Sequence, residues 1–129
     1  MGRDKGILFF RMSMGTMMVL HGIMKIVGGI DFIRRLGGMP PGVPENDALQ
    51  MILGLTAVAF EILGGIGVAA GIRFKTACIL IVLVMIPAFL YHLGNVSDFE
   101  SFVRNAWPLE LAFVFSAFVF IGPGKYKLA

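Results

Sequence analysis

His21 and Lys25 stand one helical turn apart inside an apolar stretch, GILFFRMSMGTMMVLHGIMKIV, that runs from Gly6 to Val27. Roughly 20 apolar residues at about 1.5 Å each cover the hydrocarbon core of a bilayer, so this stretch is long enough to cross one. An imidazole or an ammonium there can donate a hydrogen bond to a carbonyl, and a nearby carboxylate can relay a proton. Ionisable groups at such depth are costly and usually face a partner, a cavity or a ligand. Three later apolar runs supply Glu61, Glu110 and His92, together with Tyr91 and Trp107. Hydrogen bonding and proton transfer inside a membrane is the chemistry these residue types offer.

The elements that must position them follow from composition. Of the 129 residues, 57% are hydrophobic and 15% charged. A soluble domain carries about 25% charged residues, so this balance belongs to an integral membrane protein. The spans are expected at about residues 6–28, 48–71, 74–93 and 102–121. They use up most of the chain and predict an all-α, four-transmembrane-helix bundle as one domain over residues 1–129. The first run is too long for a signal-peptide core, carries His21 and Lys25, and is followed by no small-x-small cleavage site.

Alternating spans place the N-terminus, the second-to-third connection and the C-terminus on one side. Six Lys and Arg residues fall there (Arg3, Lys5, Arg73, Lys75, Lys125, Lys127) against three on the other side (Arg34, Arg35, Arg104). The positive-inside rule then predicts cytoplasmic termini. The longest connection, Gly29 to Asp47, reads as a short interfacial helix at Asp31 to Leu36 followed by an extended segment. Met39 and Val43 in that segment can dip back as a cap over the bundle. Gly71 to Lys75 reads as a tight turn with a glycine C-cap. Ser97-Asp98-Phe99-Glu100 matches a capping box that would start a helix at Ser97. Pro108 predicts either a kink or a fresh helix start.

On the first span Arg11, Met14, Met18, His21, Lys25 and Gly28 share one stripe, spaced by three and four. On the second, Gly54, Ala57, Glu61, Gly64, Val68 and Gly71 form a small-residue stripe that lets backbones approach closely in lipid. Glu61 is therefore expected in the interior, near mid-membrane. Counting residues at about 1.5 Å puts Glu110 a few Å to the outer side and His21 roughly 6 Å out. Lys25 and His92 come roughly 12 Å out by the same count. The predicted pocket has His21, Glu61 and Glu110 at its floor and Lys25, Tyr91, His92 and Trp107 at an outward mouth. An unpaired Glu61 there would be protonated, and a facing His21 would share a proton with it as a neutral pair or an ion pair.

The same residues have plainer uses. His21 can be an interhelical hydrogen-bonder, Lys25 can snorkel to the interface, and Glu110 can pair with His21 or cap the fourth helix. His92 and Trp107 are common interface residues. Arg11 reads as a snorkelling cation near the cytoplasmic interface, with Glu61 or a lipid headgroup as its alternative partner. The methionines read as packing. Cys78 is the single cysteine, which leaves no intrachain disulfide and no cysteine cluster. No metal or nucleotide motif is present, and nothing points to nucleic acid.

The chain resembles the DoxX family of small four-helix bacterial membrane proteins. The resemblance rests on the order and spacing of His21-Gly22-Ile23-Met24-Lys25, Glu61-Ile62-Leu63-Gly64-Gly65, Asn105 with Glu110, and Gly122-Pro123-Gly124-Lys125-Tyr126. The family's usual ending continues with a hydroxyl residue, an aliphatic and an aspartate, where this chain has Lys127-Leu128-Ala129. The resemblance implies a redox context: the family name derives from a subunit of an archaeal thiosulfate:quinone oxidoreductase, and other members are linked to oxidative or thiol stress. Carried onto this chain, it marks His21, Lys25, Glu61 and Glu110 as motif residues without a defined mechanism.

The leading expectation is a membrane subunit of a quinone-linked oxidoreductase system. Its ligand, a quinone or similar small molecule, would bind among His21, Lys25, Glu61, Glu110, His92, Tyr91 and Trp107. The chain offers no evident redox centre of its own, so a soluble or membrane redox protein would supply one. The alternative is a non-enzymatic scaffold that anchors soluble redox enzymes. Proton-coupled passage of a solute ranks last, since no inverted repeat or broken-helix pair is evident. A homo-oligomer stays open, because the glycine-rich second span can pack within or between copies.

Overall fold

Glycine placement decides how closely these helices pack. The computed structural model describes residues 1–128, and every regular element among them is helical. In chain order these are α1 (Gly2–Val27), α2 (Ile30–Gly38), α3 (Asp47–Ala70), α4 (Phe74–Leu93), α5 (Phe99–Asn105) and α6 (Trp107–Ile121). α1, α3 and α4 are each long and apolar enough to cross a membrane. α5 and α6 meet that test only together, as a pair bent by 53°.

α3 is the central element and packs on α1, α2 and α4. Its neighbouring glycines serve different partners. A Cβ on Gly65 would lie 2.7 Å from the Gly15 carbonyl of α1, whereas one on Gly64 would meet Ile81 and the Ala77 carbonyl of α4. Such close approach increases dispersion contact, the main source of helix association in lipid. α2 crosses α3 in the same way: a Cβ on Gly54 would lie 2.0 Å from the Ile33 carbonyl, and one on Gly37 would lie 1.8 Å from the Gln50 carbonyl. The ring of long helices runs α1, α3, α4, α6. It closes where Phe10 stacks on Phe118 with centroids 3.7 Å apart.

The core is apolar, with Met18, Val68, Cys78, Ile81, Met85 and Phe115 almost wholly enclosed. The outside is apolar as well: Phe9, Leu63, Phe113 and Phe120 are all exposed. Helices apolar all round need a hydrocarbon surrounding. The chain is a multi-pass membrane protein.

The connections follow local chemistry. The Asn46 side chain accepts from Leu49 N–H at 3.0 Å and starts α3. Gly71 ends it with φ of 74° in the left-handed region that favours glycine. The interfacial helix read at Asp31 to Leu36 extends over Ile30–Gly38.

Two expectations change. The span read at residues 102–121 is two helices, because Pro108 lies in the first turn of α6 and makes a fresh start there. The capping box is shifted by one residue: Asp98 is the N-cap, Ser101 N–H donates to its carboxylate at 2.8 Å, and Ser101 Oγ accepts from Asp98 N–H at 3.0 Å. The Ser101 backbone N–H, and then its hydroxyl, hold the Asp98 carboxyl below its ordinary range. A depressed folded-state value means that the cap is fully present above the unfolded carboxyl range and is lost as pH falls through the folded one. Acid should therefore fray α5, read as faster hydrogen exchange at Ser101, and Asp98→Asn should abolish that pH dependence. An unchanged acid response in the variant would refute the assignment.

Candidate functional site

The buried stripe of α1 runs Ile7, Arg11, Gly15, Met18, Gly22. Continuing it by three residues reaches Lys25, whose Nζ lies 2.5 Å from Glu61 Oε1. Glu61 is 1% exposed, so the carboxylate is enclosed as its small-residue stripe predicts. The partner is different from the one expected. Gly22, not His21, faces α3, where a Cβ would lie 2.5 Å from Ile62 Cγ1. That rotation leaves His21 half-buried at the edge of the interface. Lys25 reaches Glu61 instead because its long stem can run back along the helix. Glu61 Oε2 has no hydrogen-bond partner among the described residues.

Above this pair lies a cavity of about 310 Å³. Lys25, Tyr91, His92 and Trp107 all line it, so the four residues read as a mouth do come together. Phe32, Leu36, Met39 and Pro40, from α2 and the segment after it, cover one side. Val43 lines an adjoining cavity of about 250 Å³, so both residues expected to dip back do so. The rest of the wall is apolar, from Ala57 of α3 and Val84, Pro87 and Ala88 of α4. Pro87 lacks an N–H and so leaves the carbonyl one turn before it without its helical donor.

The expected floor is not there: none of His21, Glu61 and Glu110 lines the cavity, and Glu61 is joined to it only through its ion pair with Lys25. Glu110 is exposed on the first turn of α6, where its carboxylate favours the positive helix end.

His92 is fixed by a residue that the sequence reading tied only to the family resemblance. Asn105 Nδ2 donates to the Ser101 carbonyl at 2.8 Å, which turns Asn105 Oδ1 toward His92 Nδ1 at 3.3 Å. An amide oxygen only accepts, so His92 Nδ1 carries the hydrogen, which in the neutral ring leaves Nε2 as the acceptor. Trp107 meets the imidazole edge-on with centroids 5.4 Å apart, and Tyr91 does so at 5.5 Å. The cavity thus offers an ammonium donor from α1 and an oriented imidazole acceptor from α4.

Arg11 was read as a snorkelling cation; it is 2% exposed and bonds backbone carbonyls. Its Nε donates to Val68 O at 3.0 Å and Nη2 to Ala69 O at 2.9 Å. Nη1 donates to Pro123 O at 2.9 Å and also to Tyr126 O. The guanidinium therefore satisfies the end of α3 and pins the C-terminal segment, with Lys125 N–H donating to Asp4 Oδ1 at 3.1 Å beside it. Burial of five planar donors among end-of-helix carbonyls is legible only in three dimensions.

An apolar helical bundle enclosing one buried ion pair beside a ligand-sized cavity defines a membrane protein with an internal small-molecule site as its candidate centre. The DoxX family model matches residues 6–93, more than half of the chain, and the protein belongs to the DoxX family. The match takes in Lys25, Glu61, Tyr91 and His92 and ends before Asn105 and Trp107. No curated protein and no solved structure matches the chain.

Proposed function

We propose that this chain is the membrane subunit of a quinone-linked redox system and binds a quinone, or a similar flat lipophilic molecule, in the cavity beside Lys25 and Glu61. The observation that carries the reading is a donor and an acceptor in the wall of one apolar cavity. Lys25 and His92 both line it, and His92 Nδ1 is held by Asn105. A quinone carbonyl needs a donor and a quinol hydroxyl an acceptor, so the two groups suit both ligand states. A volume of about 310 Å³ is at the small end for ligand pockets and fits one substituted ring, leaving the isoprenoid tail in lipid.

In this reading Lys25 orients one ligand oxygen, and His92 Nε2 accepts a hydrogen bond from a hydroxyl on the other. Tyr91 and Trp107 border the ring, and α2 with Met39 and Pro40 excludes water. Glu61 holds the Lys25 side chain in place through their ion pair. The bound ring would carry electrons, and their source is a redox centre in a soluble or membrane partner. Four spans, cytoplasmic termini and a bacterial or archaeal inner membrane complete the proposal.

The test is binding of decylubiquinone to purified protein in detergent, followed by quenching of Trp107, the sole tryptophan. His92→Ala and Lys25→Gln should each weaken binding about five- to tenfold, the worth of one hydrogen bond. His21→Ala should leave it unchanged. Equal affinity in wild type, His92→Ala and Lys25→Gln would overturn the site. No binding by folded wild type would leave the scaffold reading in its place.

A further inference from the structure

The end of the bundle that carries both termini holds two adjoining depressions unrelated to the cavity above. The first is an open apolar groove of about 690 Å³ along α1 and α3, walled by Leu8, Met12, Thr16, Val19 and Ile66. It is closed at one end by the C-terminal segment through Tyr126, Lys127 and Leu128. The second, of about 270 Å³, lies at the turn between α3 and α4 and is lined by Arg73, Lys75, Thr76 and Lys127. Lys127 borders both.

We infer that these two depressions form one binding site for an anionic phospholipid, with its phosphate at the basic turn and one acyl chain in the groove. The charge is uncompensated: none of Arg73, Lys75 and Lys127 forms an ion pair among the described residues. Among the described residues no carboxylate lines the basic depression. Basic pockets between spans suit anionic headgroups.

The groove adds the second requirement. From Leu8 to Val19 is eleven residues, about 16 Å of helix, which matches one leaflet of a core about 30 Å thick. A free phosphate would need only the basic turn, whereas a diacyl lipid uses both depressions. Their shared residue is placed by the Arg11 contacts that pin the C-terminal segment: Leu128 N–H donates to Ala70 O at 3.1 Å, directly after Lys127.

The experiment compares spin-labelled phosphatidylglycerol with spin-labelled phosphatidylcholine in vesicles containing the full chain, reading the immobilised fraction of each. Phosphatidylglycerol should be retained preferentially. The preference should fall about fivefold for each cation neutralised in Lys75→Gln, Lys127→Gln and Arg73→Asn. Thr16→Phe, which fills the groove and keeps every charge, should lower immobilisation of the labelled chain. Equal retention of the two lipids by wild type would overturn the proposal without any variant. Displacement of the lipid by inorganic phosphate, or an unaltered preference in the charge variants, would overturn it as well.

Discussion

Lys25→Leu should destabilise the bundle by about 3–5 kcal/mol, because it leaves the Glu61 carboxylate enclosed without a countercharge. Glu61→Leu should cost less, since Lys25 keeps a 20% exposed side chain and can turn toward the interface. The double replacement should recover most of the loss, as buried ion pairs are often matched by apolar residues of similar volume. Thermal unfolding in detergent for the four proteins gives the coupling directly. Additive effects would mean that the two groups do not interact in the folded chain. The cycle also separates stability from function: the double variant should fold and yet bind quinone about five- to tenfold more weakly, because the cavity loses its ammonium donor.

The second large effect belongs to Arg11. Arg11→Leu should cost about 2–4 kcal/mol, since four carbonyls lose a charged donor and the Val68 contact is fully buried. The C-terminal segment should then release from the end of α3, and the Leu128 amide should lose its protection from hydrogen exchange. Arg11→Lys should restore only part of the loss, because one ammonium cannot reach carbonyls spread over Val68, Ala69, Pro123 and Tyr126 as a planar fork does. Unchanged protection at Leu128 in Arg11→Leu would refute the pinning role.

Glu61 could be placed indoors from sequence because it stands among small residues on α3, and small residues mark where helices approach in lipid. The same logic was available on α1 and leads past His21. Gly15 and Gly22 define the contact line, but they carry no side chain and contribute little to a reading based on ionisable groups. A stripe drawn through Arg11, Met18 and Lys25 was right at three positions and put His21 on a line that Gly22 occupies. The mouth residues were legible because depth from helix ends is simple counting. What counting omits is rotation about the helix axis, which decided against His21 and Glu110. The role of Arg11 depended on carbonyls more than 50 residues away in the chain. Asn105, met only within the family resemblance, acts by orienting His92, and that role needed both side chains in space.

The bend between α5 and α6 has a consequence for the surrounding lipid. α6 has 15 residues and α1 has 26, about 22 Å and 39 Å of helix respectively. These two flank each other at the Phe10–Phe118 stack. α6 alone falls short of a hydrocarbon core of about 30 Å, and α5 supplies the remainder at an angle of 53°. The seam therefore has a straight helix on one side and a bent pair on the other. A change in membrane thickness is taken up by the bend on one side and by tilt alone on the other.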